Sequence, residues 1–165
     1  MQAFGALYQA LDQTTSTNAK VDAMVDYFRR APAADAAWAV YFLSGRRVKR
    51  LVGAARLREW LVEASELPDW LVEETYASVG DLAETIALLL TDAGGQADAR
   101  PLHEWMTNSI LPLAGLEPEA QREQLTAWWR TLPYDACFLV NKLLTGALRV
   151  GVSQTLVARA LATVA

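Results

Sequence analysis

Apolar residues recur along most of the chain with the period of an α-helix. One such face, with apolar positions at i, i+3, i+4 and i+7, consists of Val21, Met24, Val25 and Phe28. Ser16 or Thr17 precedes it as a candidate N-cap. No segment shows the alternation of apolar and polar residues that is typical of a half-buried strand, so the pattern predicts an all-α domain.

The short, nearly all-apolar run 36–43 predicts a buried helix. The same period predicts helices over 57–64, 70–76, 82–90, 102–110, 117–130 and 134–144, and a last helix from Ser153 onward. Gly45, Pro68 and Gly146 supply the stop signals, and Pro118 suits a first turn. The buried stripe of the last helix is predicted to be Val157, Ala160, Leu161 and Val164.

Two local signals refine this pattern. Asp81 followed by Glu84 resembles a capping box for the 82–90 helix, with Asp in place of the usual Ser or Thr. Residues 92–101 interrupt the periodicity with glycines and a proline, which predicts a mobile loop.

Composition favours a single folded domain over 1–165. The chain has 165 residues, of which 53% are hydrophobic and 21% charged, and this is enough apolar surface for one core. No apolar run reaches the ~18 residues of a membrane span, and the N-terminus lacks the layout of a signal peptide. We therefore expect a cytoplasmic protein without a membrane partner.

Few side chains offer catalytic or metal chemistry. Cys137 is the only cysteine, and its apolar neighbours predict a buried, unreactive thiol rather than a nucleophile. His103 is the only histidine and is distant from Cys137 in sequence, so no metal site and no catalytic site are predicted.

The tryptophans recur at helical spacing beside Leu and Val, which predicts core packing rather than base stacking for Trp38, Trp60, Trp70 and Trp105. Trp128 and Trp129 are adjacent and must point apart, so one of the two is expected to be partly exposed.

Charge is segregated along the chain, although the net charge is only −4. Six of the 15 basic residues lie between positions 46 and 58, and eight acids without a Lys or Arg follow from Glu59 to Glu84. This predicts a local positive patch on an otherwise acidic protein surface, and a polyanion would bind at that patch. The alternative is a solvated loop next to an acidic helix.

The segment from Gly146 to Ser153 nearly matches the phosphate-binding loop G-x-x-x-x-G-K-[ST], with Val152 in place of the lysine. A helix, not a strand, is predicted before it, which argues against ATP binding. Val152 instead fits a hydrophobic staple with Val157. Gly151 still permits close backbone approach, and Ser153 offers a hydroxyl. The following helix start offers unpaired amides to an anion, and Arg149 adds a full charge.

A second basic turn, Gly45-Arg-Arg-Val-Lys-Arg50, also follows a helix end. Its helix end, Phe42-Leu-Ser-Gly45, is echoed by Leu143-Leu-Thr-Gly146, which predicts two halves related by a pseudo-twofold axis; chance similarity of two apolar helix ends is the alternative. Two such loops at a suitable distance would contact a duplex backbone at two places.

The segment Lys20-Val-Asp-Ala23 resembles the adenylation motif K-x-D-G without its glycine. Since it lies inside a predicted amphipathic helix, we interpret it as an ordinary helical segment.

Three segments together resemble a known family. The run from Cys137 to Ser153, with the following helix, is similar to the close of the N-terminal DNA-binding domain of bacterial-type ATP-dependent DNA ligases. The turn Val79-Gly-Asp-Leu-Ala83 and the segment Tyr41-Phe-Leu-Ser-Gly-Arg-Arg47 resemble that domain's central and first basic turns. Ala147 departs from relatives that carry a cation there, which puts one phosphate contact in doubt.

This resemblance implies an all-helical module that binds nicked duplex DNA, without regard to sequence, through minor-groove backbone phosphates. The implied DNA-binding residues are Gly45, Arg46, Arg47, Lys49, Arg50, Gly80, Thr145, Gly146, Arg149, Gly151 and Ser153. The implied parent is an enzyme of DNA repair, replication or recombination, whose nucleotidyltransferase and OB domains would follow this segment. ATP and Mg²⁺ would belong to the full-length ligase, not to this segment, which is expected to be a monomer without catalytic residues.

A different class of function fits the acidic segment 59–84. The alternative is a helical protein-interaction module that uses this surface, and the negative net charge favours it.

Overall fold

A computed structural model of the chain describes residues 1–49, 51–91, 95–146 and 148–165, and all regular structure in these ranges is helical. The α-helices are α1 (Gln2–Asp12), α2 (Thr17–Arg30), α3 (Ala33–Leu43), α4 (Ala54–Ser65), α5 (Asp69–Val79), α6 (Leu82–Leu90), α7 (Leu102–Trp105), α8 (Pro118–Thr131), α9 (Tyr134–Thr145) and α10 (Gln154–Val164). A π-helical turn, Met106–Ile110, and a 3₁₀ turn, Leu111–Gly115, connect α7 to α8. The all-α prediction is confirmed.

Local capping signals set several helix ends where the sequence predicts them. The Ser16 hydroxyl accepts a hydrogen bond from the Ala19 amide, and the Asp81 carboxylate accepts one from the Glu84 amide at 2.9 Å. Gly45 and Gly146 adopt left-handed φ angles of 83° and 68° after α3 and α9, a conformation that glycine adopts without strain.

The chain folds into two compact units, each assembled from separate segments. The first unit comprises Met1–Arg47, Ala99–Asn108 and Leu148–Ala165, and the second comprises Val48–Asp98 and Ser109–Ala147. Of the two similar helix ends, the one at Gly45 belongs to the first unit and the one at Gly146 to the second. The pseudo-twofold relation between halves stays a prediction.

Aromatic side chains form the centre of the first unit. The Phe4 ring of α1 lies 6.2 Å from the ring of Tyr27 on α2 and 6.2 Å from that of Phe42 on α3, measured between ring centroids. On its other side α2 packs against α10, whose buried residues are Val157 and Ala160. Terminal segments of the chain therefore share one core.

Asp35 on α3 caps the short helix α7. Its carboxylate accepts hydrogen bonds from the backbone amides of Leu102 and His103 and lies 2.6 Å from His103 Nδ1. Burial alone would raise the pKa of Asp35, but the hydrogen bonds from His103 and Leu102 outweigh it, and the pKa is lowered. His103 is thus engaged with a structural carboxylate.

Helix α6 forms the centre of the second unit, where it packs against α4, α5, α8 and α9. Its residues Ile86 and Ala87 are fully buried. The buried Trp129 indole of α8 donates a 3.0 Å hydrogen bond to the Asn141 side chain of α9, whose amide in turn donates to the Cys137 carbonyl. This buried polar chain joins α8 to α9.

Several predictions about burial were wrong. Trp70 is 69% exposed on α5, where Val72 is the buried residue, whereas Trp60 and Trp105 lie in the core as predicted. Trp128 and Trp129 are both buried, since α8 packs against both α4 and α6. Leu161 is exposed because the buried stripe of α10 is narrower than its apolar pattern.

Two further predictions need adjustment, and a third falls partly outside the described residues. Helix α3 is only partly buried, although its sequence is almost entirely apolar. The segment predicted as one helix over 102–110 changes from α to π geometry at Met106. The predicted mobile loop 92–101 includes residues 92–94, which lie outside the described residues; beyond them, the Gln96 amide donates to the Thr131 carbonyl.

None of the helices in the described ranges is long and apolar enough to cross a membrane.

Cys137 is fully buried, and burial raises the pKa of its thiol to about 12. We therefore expect no labelling of the native chain by an aromatic disulfide reagent at pH 8, and stoichiometric labelling after unfolding in urea. The absorbance of the released thiolate measures both. Rapid labelling of one thiol per chain under native conditions would contradict the buried position.

Candidate nucleic-acid interface

The end of α3 forms a fixed turn that presents two cations. The Gly45 amide donates to the Phe42 carbonyl at 3.0 Å, and the Arg46 amide donates to the Tyr41 carbonyl at 3.2 Å, which is the pattern of a Schellman cap. The Tyr41 hydroxyl donates to the Arg47 carbonyl at 2.9 Å. The side chains of Arg46 and Arg47 project from this turn into solvent.

The start of α10 lies beside that turn within the first unit. The Ser153 hydroxyl caps α10 by accepting from the Leu156 amide, and the Gln154 side chain donates to the Ser44 carbonyl at 3.2 Å. An open groove of about 370 Å³ between the two helix ends is lined in part by Tyr41, Arg46 and Gln154. The first unit therefore brings the basic turn at 45–47 next to the turn at 148–153.

Lys20 of α2 contacts this second turn, and sequence reasoning missed it. Its ammonium donates to the carbonyls of Val150 and Gly151 at 2.5 and 3.2 Å. A sequence signal existed, since Lys20 lies at i−4 and i−8 from the buried residues Met24 and Phe28 and so on the same helical face. Its partners, about 130 positions away, could not be predicted.

The electrostatics of this region favour an anion. Arg46, Arg47 and Arg149 are exposed, and none of them forms an ion pair within the part of the chain that the structure describes. By contrast, Arg58 pairs with Glu73, and Arg122 with Glu63 and Glu119. The first-turn amides of α10 add the partial positive charge of a helix N-terminus.

A second group of predicted residues comes together in the second unit. The Gly80 turn, with φ of 77°, leads into Asp81, whose carboxylate forms an ion pair with the buried Lys142 of α9. Lys142 lies one turn before Thr145 and Gly146, so the ion pair brings the Gly80 turn close to the end of α9. The Thr145 hydroxyl donates to the Asn141 carbonyl at 2.9 Å. Because a hydroxyl has a single proton to donate, this group can only accept a hydrogen bond from a ligand.

The remaining predicted residues divide between exposed and undescribed positions. Lys49 is exposed in the second unit, and Gly151 and Ser153 are exposed in the first. Arg50 lies outside the described residues, as does Ala147, the position that departs from the family pattern. Val152 is half-buried and Val157 is buried, and the staple between them stays a prediction.

Side chains that could bind a metal ion do not cluster in the described part of the chain. No cluster of three or more His, Cys, Asp or Glu side chains in these ranges has an arrangement that could hold a metal ion. Basic side chains and helix N-terminal amides are groups that bind an anionic nucleic-acid backbone.

Comparison with protein families also supports nucleic-acid binding. A family model described as DNA ligase N terminus matches residues 1–162. The chain belongs to the DNA ligase N-terminal family. This membership supports a role in DNA binding by a ligase. It also supports association with the catalytic domains of that ligase. No curated protein sequence matched the chain.

The Asp81–Lys142 ion pair holds the second group of this DNA ligase domain together, and its loss should be measurable. Asp81→Asn is expected to lower the free energy of unfolding by roughly 1–3 kcal/mol, because the buried Lys142 ammonium loses its carboxylate partner. Asp81→Ala should cost about 1 kcal/mol more, because it also removes the cap of α6. Urea unfolding followed by tryptophan fluorescence measures both values.

Asp69→Asn is the matched control, since Asp69 is an exposed carboxylate in the first turn of α5. It should change the free energy of unfolding by less than about 1 kcal/mol. If Asp81→Asn proves no more destabilising than this control, the ion pair does not stabilise the site.

Proposed function

We propose that this domain binds nicked duplex DNA through backbone phosphates, independently of base sequence, as the N-terminal domain of an ATP-dependent DNA ligase. The observation that carries the proposal is the hydrogen bond between Gln154 and the Ser44 carbonyl. The two residues are 110 positions apart in the sequence. The turns beside them carry exposed arginines that form no ion pair with another described residue.

The chemistry of these turns fits phosphate rather than base recognition. Arginine guanidinium groups and helix N-terminal amides bind phosphate oxygens without regard to sequence. The first unit offers Arg46, Arg47 and Arg149 beside the exposed residues Gly151 and Ser153. In the second unit Gly80, Thr145 and Gly146 bring backbone close to solvent, and Lys49 adds a charge.

The catalytic chemistry belongs elsewhere in this proposal. The adenylating lysine, ATP and Mg²⁺ would reside in a nucleotidyltransferase domain of the full protein, with an OB domain beside it. This domain would act as a monomer that keeps those domains at a high effective concentration near a nick. The parent enzyme would seal nicks in repair, replication or recombination, in the cytoplasm at the nucleoid.

The acidic segment 59–84 favours a second candidate, a protein-interaction surface. Trp70 is 69% exposed there, next to the exposed Asp69. However, Glu63, Glu73 and Asp81 of this segment are already ion-paired with cations of the same unit. Duplex titration separates the candidates, because salt-sensitive binding supports the DNA role, and no binding at ~50 mM salt supports the protein-interaction role.

Arg149→Ala tests the phosphate contact directly. It should weaken binding to all duplex sequences about three- to tenfold at low salt and lower the slope of log K against log salt by about one unit. Fluorescence anisotropy with nicked and intact duplexes of two unrelated sequences, each at four salt concentrations, measures affinity, slope and nick preference.

Arg30→Ala is the matched control, since Arg30 is an exposed arginine of the same unit that pairs with Asp26. It lies ten residues from Lys20 along α2, or about 15 Å, and should leave the affinity unchanged. A loss in Arg149→Ala that is confined to one sequence, or matched by Arg30→Ala, would overturn the backbone-contact role. Equal affinity for nicked and intact duplex would remove the preference for nicks.

A further inference from the structure

Lys20 is a buried lysine whose ammonium binds carbonyl groups. Its relative exposure is 8%, and the ammonium donates to Val150 and Gly151. Within the described ranges it has no carboxylate partner, whereas the other buried lysine, Lys142, pairs with Asp81. A buried charge without a counter-ion is costly unless it is well hydrogen-bonded, so these two carbonyl contacts are what compensates it.

The two contacts fix the orientation of two successive peptide planes. In a planar trans peptide the N–H points away from the C=O of the same unit. Because the carbonyls of Val150 and Gly151 face Lys20, the amides of Gly151 and Val152 point the opposite way. Neither amide donates to an acceptor in the described part of the chain, and Gly151 is exposed.

The fit between Lys20 and Gly151 is mutual. Gly151 has a φ of 61°, and a Cβ placed on it would lie 2.9 Å from the Lys20 ammonium. Any side chain at this position would therefore displace the ammonium as well as strain the backbone. Glycine at position 151 therefore suits both the positive φ and the close approach of the lysine.

We infer that Lys20 is a positioning residue of the DNA-binding turn at 148–153. It binds the inner side of the turn and thereby directs the Gly151 and Val152 amides outward as two donors for a backbone phosphate. Successive amides arranged in this way form an anion-binding nest. Lys20 itself does not contact DNA. The inference rests on the proposed function, because it assigns the amides to the same phosphate contact as Arg149.

A double-mutant cycle tests whether Lys20 acts through this turn. Lys20→Met keeps the length of the side chain and removes its donors, and it should weaken duplex binding about three- to tenfold. Combined with Arg149→Ala, the loss should be clearly smaller than the product of the two single losses, because a misplaced turn no longer presents Arg149. A loss equal to the product would overturn the inference.

Controls separate positioning from stability and from failure of the proposed function. Val25→Ala removes buried volume from the same helix and should lower the unfolding midpoint without changing affinity. An equal affinity loss in Val25→Ala would overturn the positioning role. If Arg149→Ala weakens binding while folded Lys20→Met binds normally, the inference fails alone. If Arg149→Ala has no effect, the proposed function fails at this turn.

A measurement on the unmodified chain does not depend on any variant folding. In a ¹⁵N-labelled sample titrated with duplex DNA, the amide protons of Gly151 and Val152 should show large downfield shifts as they donate to phosphate. Resonances of these amides that stay unchanged at saturation would overturn the inference, even if other residues of the chain respond.

Discussion

The start of α10 depends on contacts with residues that are distant in the sequence. Gln154 reaches the end of α3, the preceding turn is held by Lys20 of α2, and Ser153 caps the helix itself. A loop that had to order itself on DNA would lose conformational entropy at that moment, and a preformed turn avoids this cost. These contacts hold the turn in place before any ligand binds, so its amides and Arg149 would bind a phosphate at a lower ordering cost.

The same turn explains the near-match to a nucleotide-binding loop. In such a loop the lysine follows the second glycine and reaches the phosphates. Here Val152 occupies that position, and the nearby lysine, Lys20, comes from another helix and binds the carbonyl side of the turn. In both cases the glycine and the hydroxyl lie just before a helix, whose first backbone amides are open to a ligand.

The sequence predicted those features that depend on neighbouring residues alone. The Ser16 and Asp81 caps and the left-handed glycines 45 and 146 follow from local backbone geometry. The residue type and its position in the sequence were therefore sufficient to predict each of them. The position of Trp70 depended on which face of α5 met α6, and periodicity alone could not distinguish the two faces. Lys20 was missed for a similar reason, because its partners belong to another segment of the chain.

The net charge was a poor predictor of anion binding because the ion pairs are distributed unevenly between the two units. In the second unit Arg58, Arg122 and Lys142 are paired with three of the eight acids of the 59–84 segment, so those cations are not available to an anionic ligand. In the first unit Arg46, Arg47 and Arg149 are exposed near one helix N-terminus and form no ion pair with another described residue. A nearby phosphate is attracted by this local field, while charges beyond a Debye length of about 8 Å are largely screened at physiological salt. An acidic chain can therefore bind a polyanion at one place, and we expect that binding to be strongly salt-dependent.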